Sequence, residues 1–261
     1  MSRSSAGVAR DRASSVLLPV TGTVATVAVW WLATALFHIQ SFLLPSPPDV
    51  VDAFLRLPDY LAKQTWVTLV EVLEGFGVAV VAGLILAIAI AASRVVSRAI
   101  YPLLVGLNAI PKLALAPLLV VWLGFDATPK IVMVVLICFF PIVISAATGL
   151  TSTPADLTEL ARALDARRWQ TFRKIRFPAA MPQVFVGLKV AVSLAVIGAV
   201  IGEFAGSSDG LGYVIQSSGA SGDTAIAFAA LVILSVLSVV LFYLLVGLER
   251  LVVPWAGATS E

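Results

Sequence analysis

The sequence predicts an all-α polytopic membrane protein with about six transmembrane helices, and three observations carry that prediction. Sixty per cent of the 261 residues are hydrophobic and 12% are charged, a balance that a water-soluble domain of this length does not hide within one core. Six apolar stretches approach or exceed the roughly 20 residues that a helix needs to cross a bilayer. The charges cluster between those stretches, with Lys and Arg concentrated on alternate connections. Formal net charge is only +2, so nothing in the balance points to a nucleic-acid partner.

The first stretch, Val16 to Phe37, supplies 22 uncharged residues behind Arg3, Arg10 and Arg12. A cleaved signal peptide is the competing reading, but its apolar region runs to only about 7–15 residues, so 16–37 reads as a retained first span. The others are Gly75 to Ser93, Ala99 to Phe125 with Lys112 as its single charge, Ile131 to Ala155, Phe177 to Gly202 with Lys189 alone, and Thr224 to Leu248. Each is expected to be helical, because an unpaired backbone amide in hydrocarbon costs several kcal/mol and a helix satisfies its own.

Orientation follows from the basic residues. Thirteen lie on one side (Arg3, Arg10, Arg12, Arg94, Arg98, Arg162, Arg167, Arg168, Arg173, Lys174, Arg176, Lys189 and Arg250) and three on the other (Arg56, Lys63 and Lys130). Cytoplasmic connections retain the excess. The expected organisation is therefore a cytoplasmic tail at 1–15, a first span at 16–37, a periplasmic segment at 38–64, a core at 65–250 and a cytoplasmic tail at 251–261. The segment 203–223, rich in Gly, Ser and Asp, suits turns or a re-entrant piece. Cys138 sits in an apolar run and reads as a small core hydrophobe. His38 and the three methionines form no spaced ligand set, so no metal site is expected.

The connection 153–176 is too patterned for a simple linker. Thr153 can cap a helix, Pro154 fits its first position, and Asp156 adds an acidic first turn. Leu157, Leu160, Ala161 and Leu164 recur at i, i+3, i+4 and i+7. After Asp165 a second short helix is expected, with Trp169, Phe172 and Ile175 on one face and Arg167, Thr171 and Lys174 on another. Such a piece cannot enter the bilayer, since each central Arg, Lys or Asp costs about 2.5–3.5 kcal/mol there. It is either a basic loop that sets topology and touches headgroups or a protein-binding knob.

Glu159-Leu160-Ala161, followed by Arg162-Ala163-Leu164-Asp165-Ala166 and later Phe177-Pro178-Ala179-Ala180-Met181-Pro182, resembles the EAA loop of binding-protein-dependent ABC importer permeases. Further segments resemble the nitrate/sulfonate/taurine branch: Leu44-Pro45-Ser46-Pro47, Thr68-Leu69 to Gly75-Phe76, Ile110-Pro111-Lys112 to Pro117-Leu118 with Trp122-Leu123-Gly124, Phe139-Phe140-Pro141-Ile142 and Gly210-Leu211-Gly212-Tyr213. The resemblance covers about residues 40 to 250. It implies the type I ABC importer fold of methionine and molybdate permeases, with residues 159–166 as coupling helices docking on an ATP-binding subunit. It also implies two such ATPase subunits, a second permease copy and an extracytoplasmic solute-binding protein, in a bacterial inner membrane, for import of a sulfonate, taurine, nitrate or a vitamin precursor. ATP and Mg would be bound by the partner, and no cofactor by this chain. The family usually has glycine at the position of Asp165, where positive φ is expected. Asp tolerates that conformation and can also cap the second helix.

Two ionisable residues at membrane depth are pathway candidates, Lys112 and Glu203. Pro111 and Pro117 free carbonyls near Lys112, so the lysine either meets an anionic solute or pairs with a carbonyl or carboxylate. Small residues at Gly187, Ala191, Ala195, Gly198 and Gly202 form a seam suited to close helix approach, either at the interface between two permease copies or within one subunit. Two other classes of function are weaker. A secondary transporter would show repeated halves, which this chain lacks, and a membrane-embedded enzyme would need a nucleophile, base or metal set within the spans. No Gly-rich phosphate loop with Lys and Ser/Thr occurs, as expected of a permease whose ATP is handled by another polypeptide.

Overall fold

The residue pattern yields helix at every predicted span in the computed structural model, which describes residues 5–153 and 155–255. Eleven helices are present among the described residues: α1 (Ser5–Leu36), α2 (Pro47–Arg56), α3 (Pro58–Ala92), α4 (Arg94–Ala109), α5 (Lys112–Leu123), α6 (Thr128–Thr151), α7 (Ala155–Ala163), α8 (Arg168–Thr171), α9 (Phe177–Phe204), α10 (Leu211–Ser221) and α11 (Thr224–Val252). Among the described residues, four stretches are long and apolar enough to cross a membrane, namely α3, α6, the continuous helix Trp169–Phe204 and α11. The pair α4 and α5 adds a fifth crossing if the two count as one span.

Three sequence expectations change in detail. The third apolar run is not a straight span: α4 and α5 meet at 90° across Ile110 and Pro111. Proline has no N–H to continue the ladder and clashes with the preceding turn, so the chain turns there. The second span begins far earlier than Gly75, because Pro58 starts α3 at the first helical position, where proline is favoured. The end of the segment 38–64 is consequently helical. The segment also contains α2, whose Asp49 carboxylate accepts from the Ser46 N–H at 2.9 Å and hydroxyl at 2.7 Å. In the first run, the unbroken apolar part of α1 among the described residues is Thr21–Leu36. Only its last turns are covered, with Trp30 against Phe228 of α11 at 6.0 Å and Thr34 buried.

α6 is the central element, flanked by α9 and α3, and its Met133, Val134, Ile142 and Val143 are almost fully buried. The α9 seam decides how close these helices come. Gly198 lies so near α6 that an added Cβ would stand 2.9 Å from the Val134 Cα, and one on Gly202 would stand 2.8 Å from the Lys130 Cα. Ala191 and Ala195 between them are buried as well. Of the two alternatives for this seam, the structure shows packing within one chain. Backbone cannot retreat as a side-chain tip does, so overpacking here is expected to cost at least the usual 1–3 kcal/mol. Gly198→Val should lower thermal stability by that amount, whereas the same change at Gly77, with nothing within 4 Å, should leave the unfolding temperature within about 1 °C of the parent.

Candidate functional site

Two regions gather polar chemistry, one at each end of the α6 bundle. At the end carrying α10, Gln64, Thr68 and Glu71 recur at i, i+4 and i+7 on α3, so they share one helical face. All three are buried at 3% exposure or less. That face meets the end of α9 and the tight segment leading into α10. Thr68 Oγ1 donates to Glu203 Oε1 at 2.6 Å and accepts from the Leu211 N–H at 2.8 Å. The Gly212 N–H donates to the second Glu203 oxygen, and the Gly210 N–H donates to Gln64 Oε1 at 2.6 Å. Three successive amides at the α10 N-terminus, which lack intrahelical partners, are thus satisfied by side chains of α3 and α9. Gly210 has φ +101, and a Cβ there would fall on the Glu203 carboxylate, so both conformation and space require glycine.

The charge balance of this cluster rests on Lys130, at the first turn of α6. Its Nζ lies 2.6 Å from Glu71 Oε1 and donates to Ser207 Oγ at 2.9 Å. Glu71 accepts no well-aligned hydrogen bond among the described residues, so its compensation is electrostatic. Glu203 and Asp209 are its electrostatic neighbours. Ser207 Oγ in turn donates to the Asp209 carbonyl at 2.5 Å. Sequence reasoning placed Lys130 in an outer connection and passed over Glu71. The structure buries both.

The pathway candidates separate. Glu203 has 0% exposure beneath α10. Lys112 is half-buried at the α4–α5 bend, and its Nζ donates to the Asn108 carbonyl at 3.2 Å and to Asn108 Oδ1 at 2.8 Å. Asn108 is in the last turn of α4, whose carbonyls lack helical partners, so a cation caps them. No hydrogen bond or ion pair joins Lys112 to Glu203 among the described residues. A further lone charge in an apolar run, Lys189, pairs with Glu249 of α11 at 2.9 Å.

At the opposite end, α7 ends as expected with Asp165 at φ +50. The Ala166 N–H reaches back to the Ala161 carbonyl at 3.0 Å, closing the helix in the manner that a left-handed residue permits. Asp165 does not cap the next helix. Gln170 does so, its Oε1 accepting from the Arg167 N–H at 2.8 Å, which is the reciprocal half of a capping box. Thr153, the expected cap of α7, has a buried hydroxyl without a hydrogen-bond partner among the described residues. Nor is the second short helix separate. α8 continues through a π-helical turn, Phe172–Arg176, directly into α9. Pro178 has no N–H to give, and the wider turn, closed by Phe177 N–H to the Phe172 carbonyl, absorbs that defect. Trp169, Phe172 and Phe177 stack along it, with centroids 5.8 and 6.1 Å apart.

Within the predicted knob, Ala161 is buried, Ala166 is half-buried, and Glu159, Ala163, Leu164 and Asp165 are exposed. The backbones of Leu160 and Arg162 complete α7. Leu164 and Trp169 are 72% and 67% exposed. Because glycine reaches φ +50 without the penalty that Asp carries, but adds chain entropy to the unfolded state, Asp165→Gly should change stability by less than about 1 kcal/mol. A denaturation midpoint displaced further than that would mean that the Asp165 side chain does something besides tolerate the turn.

The apolar helices form a bundle with the short helix α10 at one end and an exposed, charged, aromatic-edged knob at the other, the architecture of a membrane-embedded subunit with a surface for a partner. Residues 79–254 match the family described as binding-protein-dependent transport system inner membrane component, and the chain belongs to that family. It is similar to the formylaminopyrimidine transport permease protein ThiX of Halalkalibacterium halodurans, with 34% identity over 94% of this chain and 98% of the relative. It is also similar to the putative aliphatic sulfonates transport permease protein SsuC of Bacillus subtilis, with 30% identity over 89% and 85%. Its fold matches the MetNI methionine ABC transporter in its inward-facing form, with a TM-score of 0.66 and 21% identity over 76% of this chain and 98% of that one. The chain is therefore a non-catalytic permease subunit of an ATP-driven ABC importer, an inner-membrane component that works with an ATPase and a solute-binding protein.

Proposed function

We propose that two copies of this chain enclose a pathway for a small anionic or polar solute, such as a sulfonate, taurine or nitrate, and that residues 159–166 dock on the ATPase. The observation that carries the reading is the knob itself. Leu164 and Trp169 are large, apolar and mostly exposed, beside an acidic Glu159 without a partner among the described residues. Aromatic and aliphatic anchors ringed by charge are what a protein partner covers. Two ATPase subunits hold ATP and Mg, and their closure moves α7. Because α8 runs unbroken into α9, that push passes along a rigid rod to the helix that holds Glu203 and the α10 amides. The basic excess around 162–176 puts the knob and both termini in the cytoplasm, with α10 facing the binding protein. The small-residue seam of α9 is occupied by α6, so pairing of two copies falls on other faces.

Co-purification tests the core of this reading: detergent-extracted permease carrying an affinity tag should retain a stoichiometric ATPase. A pull-down without one removes the docking role. Lys112 is the pathway candidate with an accessible cation. Lys112→Met should raise the half-saturating concentration for an anionic solute several-fold, consistent with the loss of about 1–2 kcal/mol of charge-assisted bonding. Uptake with unaltered affinity and rate would assign Lys112 only to capping α4. A second solute reading, a pyrimidine or flavin vitamin precursor, draws on the similarity to ThiX and to the riboflavin transport system permease protein RibX, and uptake of such a precursor with no uptake of a sulfonate, taurine or nitrate would select it.

A further inference from the structure

We propose that the turn after α11 braces the base of α9 and ties the two helices into one moving unit, with Trp255 as the positioning residue that makes the brace. The need for a brace lies in α9 itself. Pro178 and Pro182 both fall in its first two turns, and a proline has no N–H to give. An α-helix supplies each carbonyl with the amide four residues on, and for Pro178 that residue is Pro182. The Pro178 carbonyl is therefore left without a helical donor. Directly before it the chain passes through the π-helical turn Phe172–Arg176, wider than an α-turn. A wide turn followed by two missing donors is where a helix bends easily, and here it lies inside the continuous helix Trp169–Phe204.

Trp255 supplies what Pro182 withholds. Its Nε1–H donates to the Pro178 carbonyl at 3.3 Å, across 77 positions of sequence. The chain is aimed there by Pro254. A residue before proline is pushed out of the helical region, so α11 stops at Val252 and Val253 takes φ −129 and ψ 59. Val253 is nonetheless 2% exposed, and its N–H donates to the Glu249 carbonyl at 2.7 Å, so the turn is anchored. Glu249 in turn pairs with Lys189 of α9 at 2.9 Å. Lys189 lies about three turns above Pro178. α11 thus holds α9 at two levels, by a hydrogen bond at its base and by an ion pair higher up.

The position of the brace gives it a role in coupling. A push delivered at α7 meets the π-helical turn and the two prolines before it reaches the rest of α9. Without the brace, bending at that stretch takes up part of the displacement. With it, the base of α9 carries the end of α11 along, and both helices move together. The Trp255 bond lies at the surface, and Trp255 is 48% exposed, so its removal opens no cavity in the core. Transmission to α11 rests on the docking of residues 159–166 proposed above. The brace itself does not, because it is a contact within one chain.

The test follows hydrogen exchange by mass spectrometry in the full-length permease with its ATPase and binding protein in nanodiscs. Trp255→Phe keeps a ring and removes the donor. Amides over 177–184 should then exchange about threefold faster or more, the scale of one net hydrogen bond, while the unfolding temperature stays within about 1 °C of the parent. Pro182→Ala returns an N–H in register with the Pro178 carbonyl, so Trp255→Phe/Pro182→Ala should regain the parent's exchange. Trapping the complex with ATP and orthovanadate should change exchange over both 177–184 and 245–252 in the parent. In Trp255→Phe the change over 245–252 should shrink about threefold, and the double variant should restore it. Unaltered exchange over 177–184 in Trp255→Phe would overturn the brace, and so would a defect that Pro182→Ala fails to correct, because the ring and not the donor would then be at work. A trapped-state change over 245–252 as large as the parent's would overturn the transmission to α11. Absence of the ATPase from the wild-type complex would fail the docking reading instead, and exchange without nucleotide would still decide the brace.

Discussion

Lys130→Met is expected to destabilise the permease by about 3–5 kcal/mol, the scale for removing one partner of a buried ion pair. The size of the effect follows from how the charges are shared. Lys130 and Glu71 have side-chain exposures of 9% and 3% and approach to 2.6 Å. Glu203 and Asp209 are electrostatic neighbours of Glu71, and Lys130 is the cation paired with Glu71. Deleting the ammonium leaves an acidic cluster with little water to screen it. Ser207 Oγ also loses the donor that holds the turn before α10. The paired change Lys130→Met/Glu71→Leu should recover most of the loss, because an apolar pair of similar volume removes the uncompensated charge along with its partner. Thermal unfolding of the two single variants and the double variant in nanodiscs closes the cycle. If the double variant is no more stable than Lys130→Met, Glu71 is not what the lysine compensates. On the same cluster, Glu203→Leu should be far more damaging than Glu203→Gln, since the amide oxygen of Gln can still accept from the Gly212 N–H or Thr68.

The second large effect is on coupling. Glu159→Lys should weaken ATPase binding about 30-fold or more and abolish solute-stimulated hydrolysis while leaving the permease folded. Glu159 is exposed on α7 and makes no hydrogen bond or ion pair among the described residues, and surface changes of that kind usually shift stability by less than about 0.5 kcal/mol. At a protein interface the balance differs. Truncating one member of a desolvated charge pair costs about 2–5 kcal/mol, and 2 kcal/mol corresponds to about 30-fold in affinity. Reversing the sign adds repulsion from the same partner group. Glu159→Gln, which keeps shape and some hydrogen bonding, should fall between the parent and the reversal. ATP hydrolysis by the Glu159→Lys complex that still rises on adding loaded binding protein would place the docking contact elsewhere on the chain.

Much of this molecule was legible because the signals were local. The helical spans followed from apolar runs, and the positive φ of Asp165 was implied by the family resemblance, which usually has glycine there, whereas the 90° bend beside Pro111 lay inside a run read as one span. The α7 knob was visible as a periodic, charged stretch that hydrocarbon would exclude. What escaped the reading was pairwise and distant. Lys130 and Glu71 are 59 positions apart, and each by itself resembles an ordinary charge near a span end. Gln64, Thr68 and Glu71 do carry a local clue, a polar helical face just before an apolar run, but the clue names no partner. The same holds for Lys189 with Glu249, and for Gln170 replacing Asp165 as the cap of α8.

The amino-acid order by itself determined that the chain is a bundle of apolar helices with one water-exposed knob, because burial in lipid and backbone hydrogen bonding leave a run of some 20 apolar residues no other structure. Only the tertiary structure decided which of its charges are solvated and which are locked inside. That outcome depends on the α9 glycines letting α6 approach to backbone contact, which brings Lys130 beneath α10 and against Glu71. The energy of a buried charge is set by whatever lies within a few ångströms of it, and sequence separation carries no information about that distance.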